Sequence, residues 1–187
     1  MNNIFNDLDW RLGAVRRYNL FPTIQQQTVA AHVHNVTRIA VRIAKYWWGW
    51  DKDLLFNVYE WAHNHENTES LSGDIIAMAK PFFDEAGFEK KHAALLPDDH
   101  RPGNDESMLR TIVKMADLME CYYFFCMEHA LGNRYSSSHK VVMFERMVSY
   151  ADKHCPEHIR LLHEWVGSIQ MLASDPHTDN WSEQSHG

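Results

Sequence analysis

Two histidines, two glutamates and an aspartate fall within the fourteen residues Trp61–Asp74, WAHNHENTESLSGD. Imidazoles and carboxylates together are ligands for a divalent metal, and a carboxylate beside such a site can also handle the proton of an attacking water. The stretch follows an apolar, aromatic-rich segment. On a wheel of about 100° per residue, Val58, Tyr59 and Ala62 form a narrow apolar stripe. Continuing that wheel places His65, Glu66 and Glu69 on the stripe or at its edge. Ionisable groups aimed where core residues point are costly unless compensated, and metal coordination is the commonest compensation for this mixture. His63 and His65 are two apart and point in nearly opposite directions, whereas His65 and Glu69 share a face. His65 and Glu66 are therefore the candidate ligands, with Glu69 one shell further out and His63 the alternative.

Two further positions have the same inward register. In the segment from Thr28, residues Val29, Val33, Val36, Ala40, Ile43 and Trp47 line one side of a helix, and His32 sits at the edge of that stripe. His34 lies opposite, with Arg38, Arg42 and Lys45 on a solvated face. Alone, His32 reads more readily as a core histidine hydrogen-bonded to backbone. In Leu109–Tyr123 the stripe is Leu109, Ile112, Val113 and Ala116, with Asp117 at its edge. Asp117 by itself is a local cap or a partner for Lys114. Beside inward histidines and an inward glutamate on other helices it reads as a fourth ligand.

The elements needed to position these groups are helical almost throughout. Helices are expected over Asn6–Arg17, Thr28–Trp48 and Asp51–Ser70, the last with Asp51 as N-cap. Tyr18–Gln27 connects the first two, and Gly73 breaks the third. A shorter helix over Ile75–Ala86 is interrupted or restarted at Pro81, and Leu95–Asn104 reads as a loop. Three more helices follow over Glu106–Leu131, Ser136–Lys153 and Pro156–Ala173. Strand-type alternation, internal repeats and low-complexity segments are not evident. The expectation is one all-α domain over 1–173 and a polar tail over 174–187.

Composition narrows the partners. The chain has 187 residues, 45% of them hydrophobic and 12% aromatic, enough for a real core. Net charge is −7 with no lysine- or arginine-rich block, which argues against DNA or RNA as partner and leaves a small anionic substrate open. Met1–Asp9 lacks a signal-peptide pattern and no apolar run is long enough for a bilayer, so a cytoplasmic protein without membrane attachment is expected. Cys121, Cys126 and Cys155 lack CxxC spacing and fit reduced thiols. Thirteen histidines are spread along the chain, so abundance singles out none of them.

The ordered set Arg17-Tyr18, Val29-Ala30-Ala31-His32, His65-Glu66-Asn67-Thr68-Glu69, Gly73-Asp74, Lys80 and Lys114-Met115-Ala116-Asp117 resembles the HD-domain metal-dependent phosphohydrolases. These are all-α proteins whose ligands come as H…HD…D. In pattern the chain is most similar to bacterial 5′-deoxynucleotidases and bacteriophage dATP triphosphohydrolases, and its compact length and late aspartate favour the phage branch. The resemblance implies a single HD-domain helical bundle with His32, His65, Glu66 and Asp117 as metal ligands. Glu69 and Asp74 would be the catalytic carboxylates, and Arg17, Tyr18 and Lys80 the substrate-binding residues. Two departures stand out. Glu66 replaces the aspartate of the doublet, which shifts the carboxylate by about one methylene, roughly 1.5 Å. Ala31 stands where many relatives carry a glutamate, removing one carboxylate that could orient a ligand.

Two imidazoles and two carboxylates leave coordination positions for water and a phosphate oxygen, so such a metal would activate water and polarise phosphorus together. Mixed nitrogen and oxygen ligation suits zinc, cobalt or manganese, with magnesium a candidate second ion on a triphosphate. Glu69 is the candidate for orienting or deprotonating the water, and Asp74 for positioning water or sugar. Lys80 and Arg17 would meet phosphate charge, the alternative being surface charges. Tyr18 could stack on base or deoxyribose. Leu20, Phe21, Pro22 and Ile24 are weighed as core more heavily than as a base pocket. Trp47, Trp48 and Trp50 are assigned to packing between helices or subunits. The resemblance implies hydrolysis of dATP to deoxyadenosine and triphosphate, depleting dATP in the cytoplasm of a phage-infected host. The alternatives are a 5′-deoxynucleotidase and a catalytically degenerate nucleotide-binding module. Relatives are hexamers or dimers, so a homo-oligomer is expected.

Overall fold

In the computed structural model the chain is described over residues 11–74, 87 and 107–173. The expected helix over Ile75–Ala86, the loop Leu95–Asn104, the start of the first helix, Lys80 and the tail after Ser174 lie outside the described residues. Among the described residues all regular elements are helical, apart from one antiparallel bridge pair, Arg16 with Thr28. They form two compact units, one from 1–22 and 26–116, the other from 23–25 and 117–187.

In the first unit the expected helix over Asn6–Arg17 does not run to its predicted end. After Arg11 the chain turns, and its backbone pairs with the approach to the next helix instead. Arg17 N–H donates to Gln27 O at 2.9 Å, Val29 N–H to Val15 O at 2.9 Å and Ala30 N–H to Leu12 O at 3.1 Å. Leu12 and Val15 still reach the core, where they pack with Val29 and Val33. The non-local pairing decided the backbone.

Helix α1 spans Val29–Ile43. Thr28 caps it, its hydroxyl accepting from Ala31 N–H at 3.2 Å, which satisfies one of the donors a helix start leaves open. Val29, His32, Val33, Val36, Ala40 and Ile43 are buried and His34 is exposed. The helix widens into a π-helical turn over Ala44–Trp48 and stops at Gly49, whose φ of 98° favours glycine. Trp47 and Trp48 are half-buried and pair at 5.9 Å between ring centroids, while Trp50 is 72% exposed under Lys45 Nζ. Helix α2 spans Lys52–Asn64, with Asp51 Oδ1 accepting from Leu54 N–H at 2.7 Å. It packs on α1 through Val58 and Ala62. Each fully buried side chain of valine size contributes on the order of 1.5–3 kcal/mol, so this short apolar seam suffices to dock the pair. Tyr59 departs from its expected place on the stripe: it is 46% exposed and stacks on the equally outward His63, 5.6 Å between centroids.

The expected helix over Asp51–Ser70 ends early. Beyond Asn64 the bonds tighten to the three-residue step, with Asn67 N–H on Asn64 O and Glu69 N–H on Glu66 O. A four-residue helix α3, Glu69–Ser72, follows, and Gly73 turns out of it with φ 75°. Leu20 and Ile24, weighed as core, are 72% and 56% exposed.

Helix α4 spans Ser107–Ala130, its residues to Ala116 belonging to the first unit and the rest to the second. Leu109, Ile112, Val113 and Ala116 are buried, as the period predicted. In the second unit, α5 spans Ser136–His154, a 3-10 turn covers Pro156–His158 and α6 spans Ile159–Ala173. Tyr122 of α4 sits at this unit's centre, 6.0 Å from the Phe144 ring and 6.2 Å from Trp165, and its hydroxyl accepts from Gln170 at 3.2 Å. Glu128 is fully buried and accepts three hydrogen bonds of 2.7 Å, from the backbone N–H groups of Ile24 and Gln25 and from the Asn133 amide. No helix among the described residues is long and apolar enough to cross a membrane.

Candidate metal centre

The end of α2, the turn after it and the first turn of α1 bring three donors together. One ligand atom from each of His32, His65 and Glu66 lies within 4.8 Å of the others. His32 is wholly buried, and the two rings stand 5.4 Å apart, tilted by 54°. His65 Nε2 lies 3.7 Å from Glu66 Oε1. His65 and Glu66 lie in the turn beyond the last residue of α2, where the helical wheel no longer sets side-chain directions. Asn64, Asn67 and Ser70 close this turn by side-chain bonds: Asn64 to Glu60 O, Asn67 to Asn64 Oδ1, Ser70 to Asn67 O.

Second contacts set the rings. His65 Nδ1 meets Ala62 O at 2.7 Å; a carbonyl can only accept, so Nδ1 carries the proton and Nε2 presents a lone pair. His32 is different. Its Nδ1 is bonded to Arg17 Nη1, and a guanidinium can only donate. In that arrangement the ring proton of neutral His32 is on Nε2. A metal at His32 must therefore take the Nδ1 lone pair and displace Arg17, or bind after the ring has turned over. The Nε2 atoms of both histidines are buried. Two imidazoles and a carboxylate, His32 buried and His65 and Glu66 half-buried, fit a divalent transition metal.

Around this cluster lie the other candidates of the first unit. Glu69 is buried, and its carboxyl is pushed up to about 9, first by desolvation and then by the charges of Glu66 and Asp74, against a smaller pull from Arg17. It holds its proton at neutral pH while those neighbours are uncompensated. Arg17 is held by Gln27, its Nη1 donating to Oε1 at 3.2 Å, and its guanidinium lies 4.8 Å from the centre of the Tyr18 ring. Asp74 accepts from the backbone N–H of Tyr18 at 2.8 Å. Asp117 belongs to the second unit, half-buried on α4, with Cys121 Sγ 3.8 Å from its Oδ1; it is not one of the three clustered donors. His63, the alternative ligand, is outside the cluster as well. Sequence reasoning missed Gln27, which steadies Arg17, and the Ala62 carbonyl, which fixes His65. A carbonyl has no sequence signature, and a lone glutamine in a connector carries almost none.

Comparison with known proteins bears on the fold. No family model matches the chain. A dATP triphosphohydrolase of Salmonella phage PMBT28 is 27% identical over 148 residues, 76% of this chain and 75% of that protein. Among solved structures, the cyanophage S-2L HD phosphohydrolase, bound to dA and one catalytic Zn2+ ion, superposes with a TM-score of 0.72 at 18% identity, covering 91% of this chain and 99% of its own. An HD-domain phosphohydrolase of Listeria innocua gives 0.53 at 20% identity, covering 96% and 88%. The all-α architecture is that of these proteins. The chain has the fold of the HD-domain phosphohydrolases.

Proposed function

We propose that this chain is a metal-dependent deoxynucleotide phosphohydrolase, most specifically one that hydrolyses dATP to deoxyadenosine and triphosphate. The observation that carries the reading is the donor cluster of buried His32 with half-buried His65 and Glu66, and Glu69 beside it. The phage relative's name and the dA and Zn2+ of the cyanophage neighbour support it. Zinc is the favoured metal; cobalt and manganese suit the same donors. When bound, the metal supplies a Lewis acid that activates water and polarises phosphorus. Water oxygen attacks the α-phosphorus, the bond from phosphorus to O5′ breaks, and O5′ takes a proton as deoxyadenosine leaves.

The chain's own groups do the rest. Glu69 orients the water and takes its proton; neutralising the Glu66 charge removes one of the causes that hold Glu69 protonated. Arg17 meets phosphate charge, and Tyr18 offers a ring to base or sugar. Asp117 as fourth ligand, Lys80 as a second phosphate cation and magnesium on the triphosphate rest on the motif resemblance. Homo-oligomerisation is in keeping with the exposed Tyr46, Trp50, Phe56 and Tyr59. Action in the host cytoplasm follows from a phage origin, should the chain have one.

Incubation with dATP, dAMP and dGTP in the presence of zinc, cobalt or manganese, read by chromatography, tests the proposal. Inorganic triphosphate and deoxyadenosine from dATP are expected. Turnover of monophosphates alone would make the chain a 5′-deoxynucleotidase.

A further inference from the structure

Tyr18 is the one non-glycine residue among those described that has a positive φ, 59°. An aromatic side chain in the left-handed region is strained, and such a conformation persists only where neighbours over-determine it. Here they do. Tyr18 N–H donates to Asp74 Oδ2 at 2.8 Å, Phe21 N–H donates to Tyr18 O at 2.9 Å, and Arg17 on the preceding side is tied through its own N–H to Gln27 O at 2.9 Å. Asp74 is aimed by the turn at Gly73, whose N–H donates to Glu69 O at 2.9 Å. The product of this arrangement is a guanidinium stacked on a phenol ring, with the same guanidinium bonded to the candidate ligand His32.

We propose that Asp74 is a positioning residue: its carboxylate holds the Tyr18 backbone in the left-handed turn and so sets the Arg17–Tyr18 pair, rather than acting on the reacting atoms. This rests on the reading above, in which Arg17 and Tyr18 meet the nucleotide. A carboxylate doing this work needs only an acceptor oxygen. Asparagine supplies one and alanine does not, whereas a general base loses its function in both variants.

The test compares wild type, Asp74→Asn and Asp74→Ala in two measurements. Amide hydrogen exchange reads the Tyr18 N–H directly and needs no turnover: it is expected to quicken at least tenfold in Asp74→Ala and to stay near wild type in Asp74→Asn. Steady-state kinetics on the deoxynucleotide turned over should show KM raised about tenfold in Asp74→Ala with kcat within about threefold, and KM largely restored in Asp74→Asn. Loss of kcat by about 100-fold in Asp74→Asn, with Tyr18 N–H still protected, overturns the proposal. So does an exchange rate at Tyr18 that Asp74→Ala leaves unchanged. Should Asp74→Ala fail to fold, the kcat of Asp74→Asn decides alone. If wild type hydrolyses no deoxynucleotide with any metal, the functional reading fails while the exchange measurement still judges the contact.

Discussion

His65 donates its Nδ1–H to the carbonyl oxygen of Ala62, three residues earlier and 2.7 Å away. That bond commits the ring to one tautomer and leaves Nε2 as the basic nitrogen, 3.7 Å from Glu66 Oε1. His65 is thus oriented to offer Nε2 to a metal, whereas His32 must first give up Arg17. Zinc at a free concentration of about 100 times its Kd should stabilise the folded protein by about 2.7 kcal/mol. A chelator should remove that increment. His65→Ala and Glu66→Ala should each abolish it and weaken binding by at least about 100-fold in calorimetry. Wild-type affinity in Glu66→Ala would show that the glutamate of the variant doublet is not a ligand.

Arg17 and a metal compete for His32, because the guanidinium sits on Nδ1 and fixes the ring proton on Nε2. Arg17→Ala should therefore bind zinc at least as tightly as wild type, with an expected gain of about three- to tenfold, since nothing has to be displaced. The same variant should raise the nucleotide KM, because a phosphate-facing cation is lost. Opposite movements of metal and substrate affinity are the signature to look for. A parallel loss of both would instead make Arg17 a prop for the histidine.

Glu69→Gln replaces a carboxyl that is protonated at neutral pH by its neutral isostere. The fold must protonate a carboxyl that is ionised in the unfolded chain, and glutamine needs no such proton, so the metal-free melting temperature should be unchanged or higher. Turnover should nevertheless fall by about 100- to 10,000-fold, the usual range for a proton-handling group, with bound zinc unaltered. Retained kcat in this variant would assign the water-handling role elsewhere.

How legible all this was in the sequence depends on which interactions were local. Periodicity separated His32 from His34 and found the buried sides of α1 and α4, because helix register is a property of neighbours three and four apart. It also led to the His65 and Glu66 pair, although for an incomplete reason: the helix ends at Asn64, and a tightened turn rather than a continued wheel sets their directions. The Arg16–Thr28 bridge and the left-handed Tyr18 were not legible, since neither residue type announces such a backbone. Glu128 left only a faint trace, an acidic residue four places after buried Phe124 and three after Phe125. Its backbone partners, Ile24 and Gln25, are more than a hundred residues away in sequence.

That distant contact makes Glu128 a test of what holds the connector after Tyr18. All three of its bonds require an acceptor, and a glutamine would turn one oxygen into a donor facing N–H groups. Hydrogen bonds to a charged group contribute about 1.5–3 kcal/mol each, so Glu128→Gln should cost about 2–3 kcal/mol. For a chain of this size that corresponds to roughly 5–10 °C in melting temperature. A change below about 1 °C would mean that the connector is held by other contacts.

Cys155 gives the fold a signature at alkaline pH. It is fully buried where α5 ends, and burial, with a smaller push from Glu157, raises its thiol from 9.0 to about 11. The unfolded chain therefore ionises this thiol first. The stabilisation is complete below pH 9 and is lost as pH rises from 9 towards 11, by up to about 2–3 kcal/mol at the top of that window. Cys126 and Tyr122 are raised as well, so the measurement must be a difference. Urea unfolding of wild type and Cys155→Ala at pH 8 and pH 10.5 isolates the one group. The variant should start less stable, because a buried sulfur is gone, and should lose less on going to the higher pH. Equal losses in the two proteins would show that the Cys155 thiol does not contribute to the alkaline limit.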